Sequence, residues 1–292
     1  MLDLNLTVVI PTYNRPTSLR RCLECLAAQT ADKTTWEVVV VNDGGSDSST
    51  TVESFSDKLR IRYLQQQNAG PATARNNGVA AAEGNMIAFL DDDCLPMPEW
   101  IEKILQASGP GLLLGGKVTN SLHDDLYAET CQTLIDYLYI RFQHSNDLFF
   151  TSNNMVMSKS DFQSIGGFDT GFRTSAGEDR EFCVRAAEKG IRLVHVPAIH
   201  IGHAHALSLT SFVRLHFKYG RATHTYRQAI RRLDIKKRTG GDKGFYFQLL
   251  LYPFKSGQPN AFAQMTLLAV SQAATICGNL FERFIADDKG SR

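Results

Sequence analysis

The chain has 292 residues, 43% hydrophobic and 21% charged, and its 31 Lys and Arg against 30 Asp and Glu give a formal net charge of +1. That balance suits a globular chain with a sizeable core and excludes an overall electrostatic pull toward nucleic acid. No basic, apolar leader opens it, no uninterrupted apolar stretch reads as long enough to span a bilayer, and six cysteines without a secretory signal read as reduced, so a cytoplasmic location is expected.

LTVVI (6–10) is the first predicted strand, rich in β-branched residues, and runs into the polar loop PTYNR. Pro16 then starts a helix over 16–28. Cys22 and Cys25 make a CxxC in that helix, but both lie near its Leu19/Leu23/Leu26 face and no second pair has metal spacing, so core packing is the favoured reading. WEVVVV (36–41) is followed by the turn NDGGSD and a helix over 47–57. LRIRYL (59–64) precedes a helix over 71–83, and NMIAFL (85–90) ends directly in Asp91, Asp92 and Asp93. Strands alternating with helices imply parallel pairing through right-handed crossovers, with ligands at the carboxyl ends of the strands. Three of these strands end there in polar clusters.

The second half is mixed. A helix is expected over 98–107, strands over 111–118 and 147–158, and a helix over 124–141 between them. A short helix stops at Gly166–Gly167, and a longer one over 177–190 carries acids in its first turn, as the helix dipole favours. IRLVHV (191–196) is a strand, followed by PAIHIGHAHA. From about residue 208 the composition shifts: ten basic residues between Arg214 and Lys243 face only Asp234 and Asp242, and 261–284 is a helix apolar over most of its circumference.

Three adjacent carboxylates repel one another, so the triplet after the fourth strand requires a positive partner. At a strand end alternate side chains share a direction, which would aim Asp91 and Asp93 at one site and turn Asp92 aside or toward a sugar hydroxyl. Such hard oxygens suit Mg2+ or Mn2+ shared with substrate phosphates. Taken alone, the triplet fits equally a solvated acidic turn with Asp91 capping the next helix.

Four blocks widen the view: VVIPTYNRPTSL, EVVVVNDGGSDSS, NAGPATARNNGVAAAEGNMIAFLDDD and GGFDTGFRTSAGEDREFCVRAAEKG. Together, in this order, they resemble the family 2 glycosyltransferases of the GT-A fold over roughly residues 6–205. The resemblance implies an α/β, mostly parallel nucleotide-binding sheet flanked by helices as the catalytic domain (1–207), with a helical C-terminal extension (208–292). It implies an inverting, metal-dependent, non-processive transfer of a sugar from a nucleotide-diphosphate donor, UDP favoured, to an acceptor hydroxyl. The acceptor would be a carbohydrate, lipid-linked or other hydroxyl.

By the same resemblance Pro11, Thr12, Tyr13, Asn14 and Arg15 hold the nucleotide, with Tyr13 suited to stack on the base, and Asp43 accepts a hydrogen bond from uracil. Arg75 faces the diphosphate, against the alternative of a surface pair with Glu83 or Asp92. Asp91 and Asp93 match the DxD, with Asp93 the best metal ligand and Asp91 or Asp92 on the ribose. His203 is a third ligand, with His200 and His205 near enough to compete. Asp179 of the Glu178–Asp179 pair is the base, and Asn153, Asn154 and Glu178 line the donor-sugar or acceptor pocket. Mn2+ or Mg2+ is the implied cofactor, and no nucleic-acid partner is expected. Two rivals are a sugar-nucleotide pyrophosphorylase, which usually needs a Gly-rich phosphate loop absent from IPTYNRPTSL, and an inactive binding module. The basic and apolar tail, 214–284, could touch anionic lipid peripherally at the inner face of the membrane, or serve as a solvated face and a core-covering helix.

Overall fold

In the computed structural model, which describes residues 4–122, 124–145, 147–172, 176–233 and 244–290 (286–290 in backbone only), the β-branched runs form the expected strands. β1 (Leu6–Thr12), β2 (Trp36–Asn42), β3 (Ile61–Gln65) and β4 (Met86–Leu90) pair in parallel in the order β3-β2-β1-β4. Every position of β1 and β2 is buried, as a sheet covered on both faces demands. The crossovers carry α1 (Pro16–Ala27), α2 (Ser49–Glu53) and α3 (Pro71–Ala81), two of them opened by proline. Cys22 is buried on α1 beside Leu19, Leu23 and Leu26, and all six cysteines are free thiols.

Beyond β4 the sheet continues with β7 (Asn154–Ser158), β6 (Leu112–Asn120), β8 (Arg192–His203) and β5 (Cys94–Pro96), eight strands in all. Pairing is antiparallel at β4–β7, β7–β6 and β8–β5, and parallel at β6–β8. Helices α4 (Trp100–Ala107), α6 (Lys159–Ile165) and α7 (Glu178–Glu188) complete this unit. Two strands depart from the sequence expectation. Residues 147–153 are not strand, because pairing with β4 begins only at Asn154. β8 does not end at Val196: a bulge lets the register jump from Gly116–Val196 to Lys117–His200 and carries the strand on to His203, opposite Cys94 of β5.

Asn154 locks this half of the sheet. Its side-chain oxygen accepts from Trp100 Nε1 at 3.0 Å, and its amide donates to the carbonyls of Lys117 (3.0 Å) and Ile199 (2.9 Å). A Cβ at Gly116 would collide with that amide, so the clamp needs a glycine opposite it. Asn154→Ala strands two buried polar groups, Trp100 Nε1 and the Ile199 carbonyl, and is expected to cost about 2–4 kcal/mol, read as a lower urea midpoint at unchanged slope.

The chain divides into two compact units: residues 1–121 with 143–204, and residues 122–142 with 205–292. The second unit is helical, with α5 (Leu126–Phe142), α8 (Leu209–Arg232), α9 (Phe245–Lys255) and α10 (Ala261–Gly290). Helix α9 was not foreseen. Within α10, Ala261–Ile285 is long and apolar enough to cross a membrane by length and composition alone. This corrects the sequence expectation, which stopped at the Gln, Ser and Thr interruptions. The lower half of the basic segment, from Asp234 to Lys243, lies outside the described residues.

Candidate active site

Pro11 and Thr12 complete β1, and Tyr13, Asn14 and Arg15 lead into α1. Asn14 adopts φ 55°, a conformation asparagine tolerates, and its side-chain oxygen accepts from the Ser46 backbone N–H (2.7 Å) and hydroxyl (3.0 Å). Gly45, at φ +80°, passes so close that any Cβ would strike the Asn14 amide. The loops after β1 and β2 are thereby tied together, leaving the Tyr13 ring 46% exposed.

Asp43, at the end of β2, accepts from Gln66 Nε2 (2.7 Å), the Ala69 N–H (2.8 Å), the Gly70 N–H (2.9 Å) and Asn68 Nδ2 (3.3 Å). Those four donors fill the acceptor positions of a carboxylate, so Asp43 shapes the loop that precedes α3.

The aspartate triplet is not an extended strand end. The Cys94 N–H donates to the Asp91 carbonyl at 3.0 Å, a turn that breaks the alternation expected from sequence. Asp91 meets Arg75 at 2.7 Å. Asp92, instead of turning aside, is wholly buried, accepts from Thr12 at 2.7 Å and lies 3.3 Å from Arg15. Asp93 accepts from Arg15 at 2.6 Å and lies 3.3 Å from His203 Nε2. Part of the positive charge demanded by the triplet therefore comes from Arg15, on Asp92 and Asp93, and from Arg75, on Asp91 rather than on the Asp92 weighed from sequence.

Arg75 is buried and spans two elements, reaching Asp91 on one side and Glu178 Oε1 at 3.2 Å on the other, with the Phe168 ring 5.8 Å away. The alternative surface pair does not form, since Glu83 is held by Arg60 and Arg62. Asn76, one residue on, fixes the loop that leads to α7 by exchanging two 2.9 Å bonds with the Phe168 backbone. Nothing in the sequence singled out Asn76, because a helical asparagine carries no signature of a distant backbone partner.

Glu178 and Asp179 open α7 after Gly177, whose φ of 87° suits glycine. Glu178 is buried, its Oε2 has no hydrogen-bond partner, and burial with the adjacent Asp179 charge pushes its carboxyl up to about 7. Burial also raises Asp179, although the Arg180 N–H at 2.7 Å and the Arg75 charge oppose it. Asn153 accepts from Thr151 at 2.7 Å, whereas Asn154 is spent on the clamp described above.

Of the three candidate histidines, His203 is the one beside Asp93. His200 bonds Thr119 at 2.9 Å, and His205 falls in the second unit. Burial pushes the His203 ring down, but its bond to Asp93 and the charges of Asp93 and Asp91 prevail and hold it above the usual histidine range. Asp93, Cys94 and His203 each bring a ligand atom within 4.8 Å of the others. The Cys94 thiol, held protonated by burial, is a poor member of that set. Asp92 Oδ1, buried without a hydrogen-bond partner but ion-paired to Arg15 at 3.3 Å, is another hard acceptor, and burial above all pushes the Asp92 carboxyl up to about 7. Carboxylate oxygens with one imidazole fit Mn2+ or Mg2+.

Residues 7–166 match the family model for glycosyl transferase family 2. The chain belongs to that family. Residues 137–227 of this family 2 chain also match a model described as the N-terminal domain of galactosyltransferase. The validoxylamine A glucosyltransferase of Streptomyces hygroscopicus subsp. limoneus is 34% identical over 220 residues, covering 64% of this chain and 48% of that one. The pre-mycofactocin glycosyltransferase of Mycobacterium tuberculosis is 28% identical over 225 residues, covering 74% and 46%. The family 2 chain thus spans about half the length of these relatives. Among solved structures, the mannosyltransferase PcManGT from Pyrobaculum calidifontis, in complex with GDP-Man and Mn2+, aligns with TM-score 0.60 at 17% identity, covering 99% of this chain and 80% of its own. S. aureus TarS 1–349 in complex with UDP aligns with TM-score 0.54 at 20% identity, covering 98% and 92%. These likenesses show the GT-A glycosyltransferase fold.

Proposed function

We propose that this chain transfers a sugar, with inversion and without processivity, from a nucleotide-diphosphate donor to an acceptor hydroxyl, with UDP as the preferred nucleotide. One observation carries the reading: the Arg75 side chain joins Asp91 of the aspartate triplet to Glu178 at the start of α7. It thereby couples the phosphate end of a donor to the end where a base is needed, through residues far apart in the chain. The nucleotide complexes of the two structural neighbours support the donor class.

In this reading Tyr13 offers its exposed ring to the base, beside a loop built from Pro11, Thr12, Asn14 and the Asp43 clamp. Asp91 or Asp92 takes the ribose hydroxyls. Asp179 accepts the proton of the acceptor hydroxyl as that oxygen attacks the anomeric carbon opposite the leaving group. Glu178 holds Arg75 and, with Asn153, borders the sugar. Arg75 and Arg15 supply fixed positive charge where the diphosphate departs, which makes a separate general acid unnecessary. A divalent cation held by Asp93 and His203, with Asp92 alongside, would add charge stabilisation of the leaving group.

The test is a panel of UDP-, GDP- and other nucleotide sugars incubated with Mn2+ and a set of hydroxyl acceptors, following nucleoside diphosphate release. Release from a UDP-sugar, lost in EDTA and in Asp93→Ala with the fold intact by circular dichroism, is the expected outcome. Equal turnover of Asp93→Ala and the parent chain removes the metal assignment, and turnover confined to another nucleotide removes the UDP preference.

A further inference from the structure

Helix α10 buries polar side chains and exposes large apolar ones. Beside Leu268, two polar side chains face inward: Gln264 and Ser271 are fully buried, with Gln264 accepting from Thr133 at 2.8 Å. Thr275 donates to the His216 carbonyl (3.2 Å) and Asn279 to that of Gly220 (3.4 Å), both on α8. Four large apolar side chains face outward: Phe262 is 72% exposed, Ile276 51%, Leu280 56% and Phe284 83%. With the exposed Thr266, Ala269 and Ala273 they follow the spacing of a single, mostly apolar helical stripe. A helix that exposes such a stripe to water loses free energy unless something apolar covers it.

The neighbouring charges indicate what covers it. Helices α8 and α10 run side by side in the same direction, and a Cβ at Gly220 or Gly278 would collide with the Thr275 or Phe217 carbonyl of the facing helix. The pair is therefore locked at close range. Along α8, Arg214, Arg221, Arg227, Arg231 and Arg232 are exposed, and Arg221 reaches Glu282 at 2.6 Å with the Phe281 ring 5.8 Å away. Arg221 thus sits at the edge of the exposed apolar surface of α10, on a helix that carries four further exposed arginines. Helix α9 adds exposed Tyr246, Phe247 and Phe254, the residue types favoured at a membrane interface. Residues 122–142 and 205–292 hold 15 Lys and Arg against 9 Asp and Glu, a net +6, while the remaining residues hold 16 against 21, a net −5.

We infer that the second unit docks on an anionic lipid bilayer, the outward stripe of α10 entering the headgroup–acyl boundary and the arginines of α8 meeting lipid phosphates. Spanning is excluded because α8, locked to α10, would carry its exposed arginines into hydrocarbon. A second copy is a poor occupant, since pairing would bring two surfaces of like charge together. The inference does not depend on the transfer reaction, and its test reads binding alone.

The experiment is flotation of the full chain with vesicles of phosphatidylcholine, or of phosphatidylcholine mixed with phosphatidylglycerol. The parent chain floats with the mixed vesicles, and less well as salt is raised. The F262S/I276S/L280S/F284S variant loses at least about tenfold in bound fraction with an unchanged melting profile, because each side chain removed is apolar area taken from the boundary. R231Q/R232Q keeps the fold and narrows the preference for anionic vesicles, guarding against loss through misfolding of the first variant. A parent chain that floats with neither vesicle, or a serine variant that floats equally well, overturns the proposal. So does a parent dimer that becomes monomeric in the serine variant while neither binds vesicles, which would hand the stripe to a second copy.

Discussion

Asp179→Asn should leave a chain that still binds nucleotide sugar but transfers about a thousandfold more slowly, within the range that general-base catalysis contributes. The amide is nearly isosteric, and its oxygen can keep the 2.7 Å bond from the Arg180 N–H, so the α7 start has no reason to move. What it cannot do is take a proton. The effect should therefore fall on kcat with KM little changed, measured as initial rates of nucleoside diphosphate release. The pH profile carries the sign. Burial holds Asp179 above the ordinary aspartate range and its neighbour Glu178 at about 7, so the pair titrates together and the working, deprotonated base is lost as pH falls through that raised range. In the parent chain kcat/KM should climb with pH toward neutrality and then level. A kcat for Asp179→Asn within twofold of the parent would remove the base assignment.

Arg75→Met should destabilise the first unit by about 3–5 kcal/mol, the usual penalty for removing one partner of a buried ion pair. Glu178 is left buried with no counter-charge, whereas Asp91 is partly exposed and can recruit water. Both tryptophans, Trp36 and Trp100, are buried in that unit, so their fluorescence in urea reports its unfolding separately from the helical unit. Because the orphaned Glu178 can escape by taking a proton, the loss should be larger at pH 8 than at pH 5. Adding Glu178→Met should recover most of the stability, since an apolar pair of similar volume is often as stable as a buried ion pair, yet leave the chain inactive. Full stability of the single variant would show that the Asp91–Arg75–Glu178 bridge does not hold the two ends together.

The fold was largely legible because its signals are local. Four β-branched runs separated by helical periods define the parallel half of the sheet, and proline and glycine mark where α1, α3 and α7 begin. The missed strand segments had no local signal: β5 is three residues after a charged turn, and β8 resumes only because a bulge resets its register on β6. That resumption is what brings His203, rather than His200, to Asp93.

The sequence by itself determined which chemistry is available, since a carboxylate triplet, an acidic helix start and an arginine near a helix start are properties of residue type and order. Only the tertiary structure decided who meets whom. It turned the triplet so that Asp91 and Asp93 face different arginines, spent Asn154 on a clamp and Asp43 on a loop, and pointed Gln264 of α10 inward. The physical reason is that charge pairing and burial act through space over a few ångströms, while sequence pattern records neighbours along the chain; Arg75 and Glu178 are 103 residues apart in one and 3.2 Å in the other.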